Sequence, residues 1–514
     1  MATSVALILA SLLAAGALLA PSAAGRAAAM LGALVVAPVL LVAHVYETDA
    51  FASLREHPPA AVAAVVIATV VVAALAVLFD RRPAWFPPAV VAALPFRVPI
   101  GIGGTTANLL LGLYVVIAAG GLAYAVPRLR AARRQRAGAG ALATVLAASA
   151  GGPSAEHPVR WLERLLALSV VLYAVQSTYS SDADHALENV VFFYVPFVIL
   201  FALLGRVRWT PVLATRCLTV LAGLAVAFAA VGFVEYATKH VLLNPRVISS
   251  NQLESYFRVN SLFFDPNIYG RFLMIVMLAL AGVVLWTRRR GAAISASAVL
   301  AVLWAGLVLT FSQSSFVALL VGLAVLGGMR WGVRRAALAA SGLVAVAIAV
   351  ALLAPGAIRL DVGDPRSADS ATSGRYDLVM GGVDLFTSAP VLGQGSGAFA
   401  REYRRTQESS DEGAASASHT IPVTVAAEQG VAGLLAYLAL LVAALVRLLR
   451  GAGASVPRAV VAAAFVALVA HTLMYAAFLE DPLTWTLLGV GVALARAAEA
   501  DQDGVVADGP PAAV

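Results

Sequence analysis

The stretch HTIPVTVAAEQGVAGLLAYLALLVAALVRL, residues 419–448, carries the two features that decide the fold. Beyond its first two residues it is largely apolar, apart from Glu428, Gln429 and Arg447, over a length that can cross a hydrocarbon core of roughly 30 Å as a helix. A histidine stands at its entrance, where a long polar segment from Pro355 to His419 ends. The combination predicts a membrane helix with an ionisable group at the water boundary.

Apolar runs of this kind recur along the whole chain. Of its 514 residues, 61% are hydrophobic and 12% are charged, and the mean hydropathy is +0.88. A backbone inside lipid has no water to bind, so each run must form a helix. The composition therefore predicts an all-α, polytopic transmembrane helical bundle of about 14 spans. We expect transmembrane helices over 1–354, one large loop over 355–419, further helices over 420–500 and a disordered cytoplasmic tail over 501–514.

Two apolar segments near the N-terminus need separate treatment. The run from Val5 to Ala20 has no basic residues before it, so we expect a spanning helix rather than a cleaved signal peptide. The stretch from Trp85 to Ile100 is interrupted by prolines and by Arg97. It predicts either a kinked span or a re-entrant piece.

The arginines indicate the orientation of the bundle. They cluster at every second predicted membrane exit, whereas the exits between them are acidic or mixed. Basic residues close to the ends of spans mark the cytoplasmic side. We therefore expect the large loop on the extracytoplasmic side of the cell membrane. The clusters are Arg128–Arg136, Arg206 with Arg208, Arg288–Arg290, Arg330–Arg335, and Arg447 with Arg450.

His419 is the first candidate for chemistry. A neutral imidazole at the membrane surface is suited to act as a general base that activates a hydroxyl group. The simpler alternative is that His419 only caps a helix at the interface. Spacing alone leaves both open.

The sequence from Arg258 to Asn267 is the second candidate. Asp265, Pro266 and Asn267 favour the initiation of a helix, because the aspartate can cap it and the proline fits its first turn. Arg258 is unusual for a loop on the outer side. It either extends to the interface, pairs with an acid such as Glu254, or binds an anion.

The third candidate is Arg375, which a glycine-rich stretch from Pro390 to Phe399 follows at some distance. The glycines lack the lysine of a phosphate loop, so they predict a tight turn that returns the chain to the membrane. Arg375 could offer a planar fork to phosphate oxygens. It could equally form a salt bridge to Asp377 or Asp384.

Other polar positions have simpler explanations. The acids and histidine within 182–185 predict a solvated turn rather than a metal site. Ser312–Ser315 predicts a tight polar hairpin between two spans. His471 lies within a predicted span, where a neutral histidine bonded to a neighbouring helix is the favoured interpretation. Glu480 and Asp481 lie at an outer turn and could hold an arginine of the site.

The order of these motifs resembles that of the O-antigen ligase and O-antigen (Wzy-type) polymerase family of membrane glycosyltransferases. The similarity covers about residues 205–450, and His419, Thr420, Gly430 and Gly433 match the spacing of the ligase signature. Thr420 replaces the more usual asparagine, serine or glutamine. No arginine follows Ser312, where many relatives have one.

The resemblance implies a transfer reaction in which no metal or other cofactor takes part. The donor would be a glycan on undecaprenyl diphosphate, and the acceptor a glycan, lipid or protein. Arg258 and Arg375 would bind the diphosphate, and His419 would take the proton of the acceptor hydroxyl. Asp265, Asn267 and Glu428 would support them. Other proteins of envelope polysaccharide assembly are expected partners, whereas nucleic acid is not.

A transporter or flippase for a lipid-linked glycan or an anionic solute is the alternative function. Such proteins usually contain internal repeats and charges at mid-membrane. The chain shows neither clearly. It concentrates polar residues in the large loop instead, which favours an enzyme. The choice between polymerase and ligase is open, because the sequence does not identify the acceptor.

Overall fold

A computed structural model describes residues 2–46, 55–102, 105–138, 160–242, 257–338, 341, 375–406 and 420–507. His419, Glu254, Gly374 and much of the predicted loop lie outside these ranges. Arg375 belongs to a described helix, but its side chain is not described.

Helices make up almost all of the described structure. The first nine are α1 (Ala2–Leu19), α2 (Ala23–Val45), α3 (Pro58–Arg81), α4 (Phe86–Ala93), α5 (Leu111–Gly138), α6 (Trp161–Gln176), α7 (Ala183–Asn189), α8 (Val195–Leu204) and α9 (Pro211–Thr238). The remaining helices are α10 (Pro266–Trp286), α11 (Arg290–Thr310), α12 (Gln313–Trp331), α13 (Arg375–Ser388), α14 (Phe399–Thr406), α15 (Ile421–Leu449), α16 (Val456–Thr472) and α17 (Pro482–Ala507).

The chain is a multi-pass membrane protein. Within the described ranges, nine helices are long and apolar enough to cross a membrane, and two shorter apolar helices accompany them. The helical class is thus confirmed, whereas the count of about 14 spans remains a prediction. Helix α17 continues to Ala507, into the stretch that we expected to be disordered.

The stretch from Trp85 to Ile100 does not form a span. Helix α4 has 8 residues, which is too short to cross a bilayer, and Phe86, Pro87, Val90 and Val91 are buried in the protein. Strand β1 (Val98–Ile102) then pairs antiparallel with β2 (Thr105–Leu109). This two-stranded ribbon is a departure from the all-α expectation.

Helix α10 is the most enclosed of the long single helices. It packs against α11, α12 and α16, and 72% of an apolar 18-residue stretch within it is buried. Glycines allow close approach at two of these contacts: the position of Gly322 faces Leu278, and that of Gly282 faces Val460. In a bilayer, apolar side chains gain little by moving from lipid into protein. Helices therefore associate through small residues, which let their backbones approach closely where they cross. The polar residues at the start of α10 are therefore placed inside the bundle.

Ion pairs connect helices at the end of the bundle that carries the arginine clusters. Glu499 of α17 accepts from both Arg160 and Arg447, and Glu163 of α6 pairs with Arg496. Arg447 belongs to one predicted arginine cluster, and Arg496 also donates to the carbonyl of Gly205, which precedes Arg206 of another. We call this the arginine end, and the opposite end, where α10 and α15 begin, the polar end.

Candidate active site at the polar end

Helix α10 starts at a cap that the sequence predicted. Asp265 has an extended backbone, and its Oδ1 accepts hydrogen bonds from the amides of Asn267 (2.6 Å) and Ile268 (3.4 Å). Pro266 occupies the first helical position, where its missing N–H costs nothing. The prediction of helix initiation is confirmed. The amide side chain of Asn267 is left to contact other elements.

Arg258 lies across this cap. Its Nε donates to the carbonyl of Thr310 at 3.0 Å, and its NH2 donates to Oδ1 of Asn267 at 3.4 Å. The side chain is half-buried between the start of α10 and the end of α11. It is therefore anchored within the protein. Glu254, the acid considered as its partner, lies outside the described residues.

The serine turn between α11 and α12 joins the same group. The hydroxyl of Ser312 donates to Oδ1 of Asn267 at 2.9 Å and lies 2.8 Å from that of Ser315. Both serines are fully buried. The predicted polar hairpin is thus confirmed. Asn267 accepts from Arg258 and Ser312 together, so its amide links the two segments.

A buried ion pair that we did not predict from sequence lies one turn further along α10. Arg271 is paired with Asp481 and donates to the carbonyls of Ala476 (2.8 Å) and Ala477 (3.1 Å). Its side chain and that of Asp481 are each 1% exposed. A charged residue inside a span is costly and is normally paired. That cost was the available signal, because Arg271 lies within a long apolar run of the sequence and Asp481 lies at a predicted outer turn.

His471 connects this ion pair to the serine turn. Its Nδ1 accepts from Nε of Arg271 at 3.3 Å, and its Nε2 lies 3.2 Å from Ser314 Oγ and 3.1 Å from Ser315 Oγ. A guanidinium only donates, so Nδ1 must be the acceptor and the proton of a neutral ring sits on Nε2. The prediction of a histidine bonded to a neighbouring helix is confirmed.

The connection from Leu473 to Asp481 lies over these groups. Helix α16 ends at Thr472, and the backbone carbonyls of Ala476 and Ala477 beyond it accept from Arg271. Tyr475 lies close to Asp265. Thr420 Oγ donates to the carbonyl of Leu473 at 3.2 Å. The start of α15, which His419 precedes, is therefore tied to the connection that covers the cap of α10.

The glycine-rich turn is joined to a break in α15. Gly430 has φ 65° and ψ −163°, which interrupts the helix. The amide of Val431 donates to Pro390 O at 2.8 Å, and the amides of Gln394 and Gly395 donate to the carbonyls of Ala427 and Glu428, each at 2.9 Å. Backbone groups freed by the break are thus bonded to the turn. The prediction of a tight turn is confirmed, whereas its return to the membrane stays a prediction.

Glu428 strengthens this joint through its side chain. Its carboxylate accepts from the amides of Gly397 (2.9 Å) and Phe399 (3.2 Å). Helix α13, which Arg375 begins, packs on the same part of α15 through Leu378 and Leu385. The backbone at Arg375 is therefore connected to the helix that His419 precedes.

Residues 298–438 match the family model described as O-antigen ligase. This segment is an O-antigen ligase domain. The resemblance inferred from the motifs is confirmed, and this domain supports a membrane glycosyltransferase of the O-antigen ligase or polymerase type. No curated protein matches the chain.

The O-antigen ligase domain contains only part of the polar end. It includes the serine turn, α13, the glycine-rich turn and α15 as far as residue 438. Arg258 and the cap of α10 precede it, and His471 and Asp481 follow it. The hydrogen bond that Ser312 donates to Asn267 joins the domain to α10. The contacts of His471 with Ser314 and Ser315 join it to α16.

A small cavity lies beside α15. It has a volume of about 60 Å³ and is lined by Ile421, Thr424, Glu428, Tyr437 and Glu480, among others. Such a volume suits a few water molecules rather than a sugar. Among the described residues, no group of three or more histidine, cysteine or acidic side chains is arranged to hold a metal ion. The chemistry available at this end is anion binding and hydrogen bonding.

Proposed function

We propose that the protein polymerises or ligates surface polysaccharide that is carried on undecaprenyl diphosphate, on the extracytoplasmic side of the cell membrane. The observation that carries the proposal is the arrangement of Arg258. This arginine is held by Asn267 and Thr310 at a helix start inside a membrane bundle, where an anion is favoured. The adjoining O-antigen ligase domain supplies the class of reaction.

In the proposed reaction, a hydroxyl of the acceptor attacks the anomeric carbon of the donor glycan. A new glycosidic bond forms while the bond from that carbon to the diphosphate breaks. The leaving diphosphate gains negative charge, which Arg258 and Arg375 stabilise. His419 takes the proton of the attacking hydroxyl.

The supporting residues keep these groups in position. Asp265 starts the helix, and Asn267 holds the guanidinium of Arg258 through Oδ1. Glu428 binds the glycine-rich turn and so connects the two parts of the chain that carry Arg375 and His419. Positioning of this kind matters because small displacements of reacting groups reduce rates steeply.

The orientation supports a lipid-linked donor. Arginine clusters gather at one end of the bundle, and the positive-inside rule assigns that end to the cytoplasm. The polar end then lies away from nucleotide sugars. Its donor must arrive already activated, and a diphosphate carrier in the membrane meets that requirement. The acceptor remains open between a second glycan chain, a lipid and a protein.

Deletion of the protein, followed by analysis of lipid-linked glycans, tests the proposal. We expect undecaprenyl-linked material to accumulate and to be cleared when the wild-type protein is restored. Single repeat units would assign a polymerase, whereas long chains would assign a ligase. An unchanged pool of lipid-linked glycan would overturn the proposal, and altered uptake of a solute in the same cells would favour the transporter.

A further inference from the structure

Arg97 lies near Arg271 and Asp481 at the polar end, although it comes from the N-terminal part of the chain. It follows α4 and precedes the two-stranded ribbon. The ring of the adjacent Phe96 meets Phe228 edge-on at 5.7 Å, and Phe228 meets Phe263 in the same way at 5.3 Å. Phe263 leads directly into the Asp265 cap. This row of rings holds Arg97 close to the start of α10.

Among the residues that the structure describes, the guanidinium of Arg97 has no ion pair of its own. Its charged neighbours are Asp481 and Arg271. Asp481 is already engaged, because one carboxylate oxygen is paired with Arg271 and the other accepts a backbone amide at 2.9 Å. Nε of Arg97 is shielded from solvent and has no hydrogen-bond partner among the described residues. Two guanidinium groups therefore share one carboxylate.

Arg97 is part-buried, a position that is unfavourable for an unpaired charge. Burial lowers the pKa of the Arg97 guanidinium, and the attraction of Asp481 opposes that effect without cancelling it. A buried cation without a partner is unfavourable unless an anion joins it. Arginine is also the side chain whose planar fork best matches two phosphate oxygens. The surroundings of Arg97 are those of a binding residue whose ligand is negatively charged.

We propose that Arg97 binds a phosphate oxygen of the lipid-linked diphosphate and so forms a third arginine of the donor site. The inference rests on the proposed function, because it takes the donor to be a diphosphate. It extends the site to a part of the chain that lies outside the O-antigen ligase domain. A carboxylate on an acidic sugar is the other anion that could fill the position.

Binding of undecaprenyl diphosphate without a glycan, measured on purified protein by native mass spectrometry, tests the inference. We expect Arg97→Gln to weaken binding by about tenfold to a hundredfold, as the loss of a charge-assisted contact does. Arg97→Lys keeps the charge but loses the planar, two-pronged guanidinium. Its affinity should lie between those of the wild type and Arg97→Gln. Arg82→Gln removes an exposed arginine from the same part of the chain and should bind as the wild type does.

Thermal unfolding of the ligand-free protein separates binding from structure. Since the fold disfavours the charge, Arg97→Gln should unfold at the same temperature as wild type or higher. Undecaprenyl diphosphate should then raise the unfolding temperature of wild type more than that of the variant. A loss of stability in ligand-free Arg97→Gln would assign Arg97 a structural role and overturn the inference.

The outcomes distinguish this inference from the proposed function. If wild type neither binds undecaprenyl diphosphate nor transfers glycan, the proposed function fails. If wild type does both and Arg97→Gln binds the carrier equally well, only the role of Arg97 fails. A defect that appears with a glycan containing uronic acid, but not with the bare carrier, would assign the sugar carboxylate as the ligand and overturn the diphosphate assignment.

Discussion

Gly430 is the position where one added methyl group should separate the glycine-rich turn from α15. Its φ of 65° and ψ of −163° fall in a region that is open essentially to glycine alone. A Cβ atom there would also clash with the backbone carbonyl of Val391. Backbone cannot swing away as a flexible side chain can, so Gly430→Ala must displace the turn.

The expected cost follows from these two effects. A non-glycine residue in this region costs on the order of 1–3 kcal/mol. Displacement of the turn weakens the backbone hydrogen bonds that join it to α15, each worth about 1 kcal/mol. Together they predict a loss of about 2–5 kcal/mol in the free energy of unfolding. Glycan transfer should fall as well, because the turn connects the Arg375 helix to the helix that follows His419.

The single cysteine provides the assay. Cys217 is buried, so a thiol-reactive dye should label it only when the detergent-solubilised protein unfolds on heating. Gly223→Ala is the matched control, because a Cβ atom at Gly223 meets nothing within 4 Å in the middle of α9. That variant should be neutral or more stable by up to about 1 kcal/mol. Equal unfolding temperatures for Gly430→Ala and Gly223→Ala would refute the reasoning.

Further variants test the polar contacts. Asp481→Asn leaves Arg271 buried without a counter-charge and should cost about 3–5 kcal/mol in the same thermal assay; an unchanged unfolding temperature would contradict the pairing. Glu428→Ala leaves two buried amides without an acceptor and should cost about 1–3 kcal/mol for each, whereas Glu428→Gln should retain part of the stability. Ser312→Ala should weaken donor binding in a direct binding assay, with little added effect in an Asn267→Ala background. Additive effects in that double-mutant cycle would show that the two residues act separately.

Local features of the fold were predictable from sequence. Asp265 and Pro266 determine the start of α10 through contacts within one turn, so the sequence alone identifies the cap. The glycine turn was equally recognisable, since its composition permits the positive φ angles that it adopts. What the sequence did not reveal was that this turn joins the break at Gly430. That contact joins residues 390–395 to residues 427–431, which no local sequence pattern connects.

The buried cluster is non-local and was found only in part. Arg271 and His471 lie 200 residues apart, and no periodicity connects them. Each looked like an isolated polar residue within an apolar run. The predicted role of Asp481 in holding a site arginine was correct in kind, but its partner is Arg271, which the sequence did not single out. Similarly, the prolines of 85–100 signalled an interrupted span without indicating that Arg97 would reach the α10 cap.

Transfer by purified protein in liposomes tests the central claim most directly. With an undecaprenyl-diphosphate-linked glycan and an acceptor glycan present, the wild type should form a longer product. His419→Ala should lower the rate by about 10²–10⁴-fold while the donor still binds. Arg258→Ala should lose donor binding, and His185→Ala, a change at a half-exposed histidine, should transfer normally. If His419→Ala protein transferred glycan at the wild-type rate, the assignment of His419 as the general base would be contradicted.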